Sequence, residues 1–116
     1  MKAIITKLQR VQNSLARVVL QKPRCAHAND LLAQLNWLPV SYRIEYKIAL
    51  ITYKALKFCQ PRYLAELLIH QHQVRAMRSE CQCRLHQPVP NSHTSSQGFR
   101  YAAPSIWNLL PPDLRI

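Results

Sequence analysis

The chain has 116 residues, of which 48% are hydrophobic and one is glycine, and sixteen lysines and arginines against five acidic residues give a formal net charge of +11. A chain of this length forms at most one domain, and its hydrophobic fraction excludes a wholly disordered protein. The positive charge favours polyanionic partners, with nucleic acid ahead of an anionic membrane surface, although a merely solvated basic surface would account for it as well.

The sequence contains no run of about 18 apolar residues, so we expect no membrane-spanning helix. Its first residues, M-K-A-I-I-T-K-L-Q-R, hold too short an apolar run for a signal peptide. We therefore expect an intracellular protein, nuclear or cytoplasmic and not secreted, with no membrane partner. In such a compartment the cysteines are expected to be free thiols: Cys25, Cys59, Cys81 and Cys83.

The first two predicted helices cover about residues 3–20 and 29–37. In the first, six apolar side chains share an arc of about 100° at the helical period, and we expect them to face the core: Ile4, Leu8, Val11, Leu15, Val18 and Val19. The second has Asn29 as its predicted N-cap and ends before the corner at Pro39.

The longest predicted helix spans residues 42–58, follows a cap at Ser41 and has three different sides. The apolar side consists of Ile44, Ile48, Ile51, Ala55 and Phe58. The basic side consists of Arg43, Lys47, Lys54 and Lys57, and the tyrosine side next to it consists of Tyr42, Tyr46 and Tyr53. Pro61 then fits the first position of a fourth helix over residues 61–69.

The rest of the chain is predicted to be irregular. Residues 70–97 are polar and aperiodic, which indicates a loop or linker with at most one short edge strand at R-L-H-Q-P-V-P. Residues 98–116 form an apolar tail in which Pro104, Pro111 and Pro112 argue against a long helix. The predicted fold class is therefore mainly α, a small four-helix assembly (1–69) followed by an irregular, proline-rich tail whose packing partner stays open.

The sequence does not predict catalysis. Its five acidic residues form no pair at the spacing of a catalytic or two-metal site, and one glycine cannot make a phosphate-binding loop. Cys81, Cys83 and His86 lie close together, but their spacing differs from that of structural zinc sites. We predict a protein that is not an enzyme and has no cofactor, with zinc at these three residues as the less favoured alternative.

Nucleic-acid binding has the best physical support. On the third helix, basic side chains for phosphate contacts lie beside tyrosines that could stack on bases, and the first helix adds two arginines. The predicted contact residues are Arg10, Arg17, Arg43, Lys47, Lys54 and Lys57, with Tyr46 and Tyr53 for stacking. The alternative is that the lysines are only solvated and the tyrosines pack against neighbouring helices.

Four stretches together resemble a known family: L-Q-R-V-Q-N-S-L-A-R-V-V (8–19), L-N-W-L-P-V-S-Y-R-I-E-Y-K-I-A-L-I-T-Y-K-A-L (35–56), P-R-Y-L-A-E-L-L (61–68) and F-R-Y-A-A-P-S-I-W-N-L-L-P-P-D-L-R (99–115). In order and spacing they resemble the C-terminal end of reverse transcriptases from LINE-type, jockey-like non-LTR retrotransposons. V-R-A-M-R-S (74–79) resembles the arginine–serine piece of that family. The chain departs from the pattern at Cys59-Gln60, where the family often has glycine, and over residues 79–96, which lack strand-like apolar residues.

The resemblance implies a non-catalytic fragment, made of thumb-proximal helices and the terminal tail, because the family's polymerase and endonuclease active sites lie upstream. It implies contact with RNA or an RNA–DNA hybrid, and with the missing polymerase domain, on which the tail packs in the family. Two alternatives remain, a protein-interaction module that uses the aromatic tail and a non-functional remnant of a decayed element.

Overall fold

The computed structural model describes residues 2–71 and 83–115, and helices account for 63% of these residues. The five α-helices in this part of the chain are α1 (Lys2–Val19), α2 (Ala28–Gln34), α3 (Val40–Phe58), α4 (Arg62–Ala65) and α5 (Phe99–Leu109). Short 3-10 helices, Ser95–Gln97 and Pro112–Leu114, lie on either side of α5. The prediction of a mainly helical fold is confirmed.

The chain divides into two compact units, residues 1–46 (unit 1) and 47–116 (unit 2), with the division inside α3. No strand occurs in the described residues, where β pairing is limited to one isolated antiparallel bridge between His70 and Leu85. Among the described helices, none has the length and apolar character needed to cross a membrane. The V-R-A-M-R-S segment lies outside the described residues.

The bounds of α1 and α3 agree with the prediction to within two residues, whereas α2 and α4 are shorter than predicted. Helix α2 ends early because Asn36 adopts a left-handed φ of 54° and the Trp37 amide turns back to bond the carbonyl of Leu32 at 2.9 Å. The predicted cap at Asn29 is wrong, since His27 is the N-cap and Asn29 lies inside the first turn.

The tail differs most from the sequence-based expectation, because Phe99–Leu109 is a helix with Pro104 inside it. Proline removes one backbone donor and crowds the carbonyl four residues earlier, which normally breaks a helix. Here Ala103, Pro104 and Trp107 are all buried, and this burial offsets the local cost. Leu110, the residue before Pro111, is extended and ends the helix, as expected for a residue that precedes proline.

Unit 1 is held together by a small apolar core and by a polar contact between α1 and the corner before α3. The core consists of Ala16 on α1 and Leu31 and Leu32 on α2. At the corner, Gln9 accepts a hydrogen bond from the Val40 amide at 2.8 Å, and Gln12 donates to the Leu38 carbonyl at 2.8 Å. The predicted cap at Ser41 is therefore wrong, because the glutamine of another helix satisfies the first amide of α3.

The apolar side of α1 does not face a core. Its six residues, which we call the outer stripe, are all exposed: Ile4, Leu8, Val11, Leu15, Val18 and Val19. Instead α1 buries the adjacent side, which carries Gln12 and Ala16. The expectation that the outer stripe would be internal is wrong, because the short α2 covers only the side of α1 next to it.

Unit 2 has the larger core, and the C-terminal tail is part of it. Ala55 of α3, Leu68, Leu85 and two residues of α5, Ala103 and Trp107, form one buried cluster. The indole of Trp107 is 1% exposed and is one of the largest fully buried side chains in the described residues. The packing partner of the tail is thus present in the chain itself.

Two side chains of α5 fix residues 83–85 by hydrogen bonds. The indole N–H of Trp107 donates to the Cys83 carbonyl at 2.9 Å. The amide of Asn108 bonds both backbone groups of Leu85, accepting from its N–H at 3.0 Å and donating to its carbonyl at 2.8 Å. Because Asn108 satisfies a buried backbone donor and acceptor together, it acts as a substitute for a neighbouring strand.

Candidate nucleic-acid interface

The α3 residues of unit 2 carry three exposed lysines, Lys47, Lys54 and Lys57. At about 100° per residue they lie on one side of the helix, roughly opposite the buried residues Thr52 and Ala55. The helix therefore has one side in the core of unit 2 and the lysines on the other. Because the core fixes the helix, the lysine backbone positions are set before any ligand arrives.

Arg43 and Tyr46 lie in unit 1, on the first turns of the same helix, and both are exposed. Tyr46 is 61% exposed, so the residue is accessible to a stacking partner. Arg43 is exposed, so its guanidinium is accessible for a phosphate contact.

Tyr53, the second predicted stacking residue, has a different environment. Its ring is half-buried against the core of unit 2 and meets Phe58 edge-to-face, with ring centroids 6.4 Å apart at an interplanar angle of 84°. Aromatic pairs at this distance and angle are stabilising contacts within a fold. Tyr53 is accordingly tied to the core, which leaves Tyr46 as the better placed of the two.

The two predicted arginines of α1 also differ from one another. Arg10 is exposed, whereas Arg17 is half-buried and its Nη2 donates to the Ala26 carbonyl at 3.4 Å. The Nε of Arg17 is buried without a hydrogen-bond partner in the described residues. Arg17 thus helps to hold the connection between α1 and α2, and Arg10 is the more accessible cation.

The charge of these residues is largely uncompensated. In the part of the chain that the structure describes, the one salt bridge joins Arg62 to Glu66 at 3.0 Å, and both side chains are exposed. Such an exposed pair, four residues apart, contributes little to stability. The lysines of α3 make no salt bridge among the described residues. A surface of this kind attracts polyanions through a field that salt weakens.

The described residues contain no group of three or more side chains with the right chemistry to hold a metal ion. Cys83 is an exposed free thiol and His86 is exposed, while Cys81 lies outside the described residues. Cys25 and Cys59 are exposed free thiols as well.

Three arginines that are not among the predicted contact residues also contribute positive charge. Helical periodicity does not single them out. Arg84 and Arg100 are exposed in unit 2. Arg115 is 6% exposed, and its Nε and Nη1 have no hydrogen-bond acceptor among the described residues. An arginine next to the last residue looks solvated in the sequence, and only the packing around it shows the burial.

Comparison with protein-family models, with curated proteins and with solved structures gave no match.

Proposed function

We propose that the chain is a non-catalytic nucleic-acid-binding segment, of the kind that forms the C-terminal end of LINE-type reverse transcriptases. The observation that carries the proposal is the set of three exposed lysines on α3, Lys47, Lys54 and Lys57, opposite the side that the core of unit 2 holds. The ligand class is an RNA or an RNA–DNA hybrid, and the contacts are to phosphates.

The mechanism is positioning by electrostatic contact. Each lysine that neutralises a phosphate releases a condensed counterion, so binding is favourable at low salt and carries little sequence information. Lys54 and Lys57 are separated by about 4.5 Å along the helix, and Lys47 lies about 10 Å before Lys54. This spread suits several phosphates of one backbone. In unit 1, considered by itself, the exposed Tyr46 is accessible to an unpaired base.

One feature of the backbone agrees with the resemblance that underlies the proposal. Cys59 adopts a left-handed φ of 52° directly after α3, a conformation that favours glycine, at the place where the family often has one. In such an enzyme this segment would hold duplex near an active site supplied by the upstream polymerase domain.

The test is binding of the purified chain to an RNA–DNA hybrid across a salt series. Replacing Lys47, Lys54 and Lys57 with Gln should lower the slope of log affinity against log salt by up to about three units, one for each lost phosphate contact. The matched control replaces Lys2, Lys7 and Lys22 with Gln. These lysines are also exposed, and replacing them removes the same amount of positive charge. If the control variant and the α3 variant lower the slope of log affinity against log salt equally, only the overall charge matters. The proposed interface would then be wrong.

The alternative function is a protein-interaction module that uses the aromatic tail. Testing it requires substitutions other than Trp107→Ala. Because Trp107 is buried, its replacement by Ala would report unfolding of unit 2 and not the loss of a partner contact. Among the described tail residues, the large hydrophobic side chains that are exposed are those of Leu109 and Leu114. Binding to a protein partner with weak salt dependence that is lost when both are changed to Gln would favour this alternative.

A further inference from the structure

The outer stripe of α1 has the spacing of a helix-pairing seam. Ile4, Leu8, Val11, Leu15 and Val18 follow one another at intervals of four, three, four and three residues. This alternation is the a/d pattern of a heptad repeat, in which apolar side chains insert between those of a facing helix. All five are exposed, Leu8 by 49% and Leu15 by 51%, so the described residues leave the seam open.

The orientation of α1 is fixed by contacts on another side of the helix. Ala16 is buried against α2, and Gln9 and Gln12 bond the corner at Leu38 and Val40. At about 100° per residue, this attached side lies roughly a quarter turn from the outer stripe. Rotating α1 to bury the stripe would break both glutamine contacts, so the fold of unit 1 holds the seam outward. A facing helix therefore meets a helix that is already formed and oriented.

The charges of α1 lie away from the seam. The helix has no acidic residue and four basic ones, of which only Lys7 borders the outer stripe. At about 100° per residue, the other three lie on the opposite side of the helix: Lys2, Arg10 and Arg17. The remaining residues that border the stripe are uncharged: Ile5, Gln12 and Ser14.

This nearly neutral border bears on the identity of the facing helix. Charges beside the seam of a helix pair set the choice of partner, because opposite charges attract and like charges repel across the contact. The stripe has no row of such charges to select an acidic or a basic helix. For the same reason, two copies of the stripe can meet without facing rows of like charges, so the seam is compatible with itself.

A membrane surface fits the same helix less well. Helices that lie in the membrane interface commonly carry tryptophan or phenylalanine on the apolar face, and α1 has no aromatic residue. Its stripe instead combines Leu with the stiff β-branched side chains of Ile and Val, which suit packing against side chains of defined shape.

The apolar area of the stripe is sufficient for a weak pair. A half-exposed Leu, Ile or Val presents roughly 100 Å², so the six residues of the stripe present roughly 600 Å² on each copy. Two copies face to face would bury roughly 1,200 Å², which is the lower end of the range for specific protein–protein interfaces. Because each copy also carries a formal net charge of +11, we expect the pair to be weakest at low salt.

We propose that the outer stripe of α1 is the contact surface of a weak homodimer, in which the stripes of two copies pack against each other about a two-fold axis. Leu8 and Leu15 lie at the centre of the contact, between layers of β-branched side chains. The three basic residues opposite the stripe remain in solvent on the outside of the pair. This inference does not rest on the proposed nucleic-acid binding.

The test is sedimentation equilibrium of the full chain, freed of nucleic acid, from about 10 to about 300 μM and at about 50 and 500 mM NaCl. We expect a reversible monomer–dimer equilibrium whose dissociation constant is at least about twofold lower at the higher salt, because salt screens the repulsion between the two copies. Association through bound polyanions would have the opposite salt dependence.

The variant Leu8→Gln/Leu15→Gln should raise the dissociation constant of the dimer at least about tenfold, because it removes the centre of the seam. The control variant is Val89→Gln/Leu109→Gln, which removes two apolar side chains of unit 2 that are 85% and 83% exposed. Its dissociation constant should stay within about twofold of that of the unchanged chain, because these side chains lie outside the stripe.

A second pair of variants tests a gain of association, which misfolding does not mimic. Ser14 and Thr6 are both exposed, and each hydroxyl donates to the carbonyl four residues earlier at 2.9 Å. Ser14 borders the outer stripe, whereas Thr6 lies opposite it. Ser14→Leu widens the seam and should lower the dissociation constant at least about threefold. The matched change Thr6→Leu should leave it within about twofold.

Several outcomes would overturn the proposal. One is a chain that stays monomeric at all concentrations and at both salt levels. Another is a dimer that Leu8→Gln/Leu15→Gln does not weaken, or that Ser14→Leu and Thr6→Leu affect equally, since another surface would then form the contact. Flotation of a monomeric chain with phosphatidylserine-containing vesicles, if abolished by Leu8→Gln/Leu15→Gln, would mean that a membrane covers the stripe instead.

Discussion

The two units place their apolar residues in opposite ways. In unit 2 the aromatic tail folds back, and Trp107 lies in a core with residues of α3 and the segment near Leu85. In unit 1 the most regular apolar pattern of the chain, the outer stripe of α1, faces outward while Gln12 and Ala16 are buried. Unit 2 has thus buried the tryptophan of its tail helix, whereas unit 1 presents the apolar stripe of its first helix to the outside.

The difference shows what helical periodicity can and cannot determine. The period identifies which side chains share a side of a helix, because that depends only on local geometry. Whether that side becomes internal depends on the elements available to cover it. Unit 2 provides a tail of eleven helical residues for this purpose, whereas unit 1 provides only the seven residues of α2.

The largest effect should come from opening the core of unit 2. Trp107→Ala removes a fully buried indole and its hydrogen bond to Cys83, so the free energy of unfolding should fall by about 3–5 kcal/mol. Urea unfolding followed by circular dichroism measures this loss. The control is Leu109→Ala on the same helix, where the side chain is largely exposed and the expected change is within about 0.5 kcal/mol. Similar losses in the two variants would show that Trp107 is not the centre of this core.

A smaller but sharper effect is expected at Asn108. Replacing Asn108 with Ala leaves the N–H and carbonyl of Leu85 without their partner, which should cost about 2 kcal/mol. Hydrogen exchange at the Leu85 amide should become faster at the same time. Tryptophan fluorescence in a Trp37→Phe background, where Trp107 is the remaining reporter, would follow the loss in unit 2. Unchanged exchange at Leu85 would contradict the bridging role of Asn108.

In unit 1 the comparable polar contact is the one from Gln9 to Val40. Gln9→Ala removes the acceptor of the first amide of α3, and the expected cost is about 1 kcal/mol. Hydrogen exchange at Val40 is the direct measurement, and it should become faster. Gln34→Ala, the same change at an exposed position of α2, should leave both stability and Val40 exchange unaltered. An equal loss from both changes would show that the contact between Gln9 and the Val40 amide is not its cause, since helix propensity alone favours alanine.

Much of the secondary structure could be predicted from local sequence. The α1 and α3 bounds follow from periodicity, and Pro111 ends α5 where the rule for residues before proline places the stop. The helix through Pro104 could not be predicted, because the burial that offsets its cost comes from residues distant in sequence. The cap of α3 was missed for a similar reason, since its acceptor, Gln9, lies 31 residues away along the chain.

For the candidate interface, too, local sequence predicts some properties and neighbours in space determine the others. The sequence places Lys47, Lys54 and Lys57 on one side of a helix, because this depends only on spacing. It does not reveal that Tyr53 is tied to Phe58, or that Arg17 reaches the Ala26 carbonyl, because both depend on neighbours in space. Tyr46 and Arg10 are therefore more accessible than Tyr53 and Arg17, a difference that the sequence pattern alone does not predict.

The smallest expected change in stability is also the one that most directly tests the comparison between the units. Leu8→Gln/Leu15→Gln changes two residues of the outer stripe, and Leu and Gln have nearly the same helix propensity. Because both positions are exposed, the free energy of unfolding should change by no more than about 0.5 kcal/mol in urea unfolding. The buried counterpart Leu31→Gln should lose at least about 2 kcal/mol, since it places an amide in the core of unit 1. If the stripe variant lost as much as Leu31→Gln, the stripe would be covered in solution. The contrast between the buried tail helix of unit 2 and the open stripe of unit 1 would then be wrong.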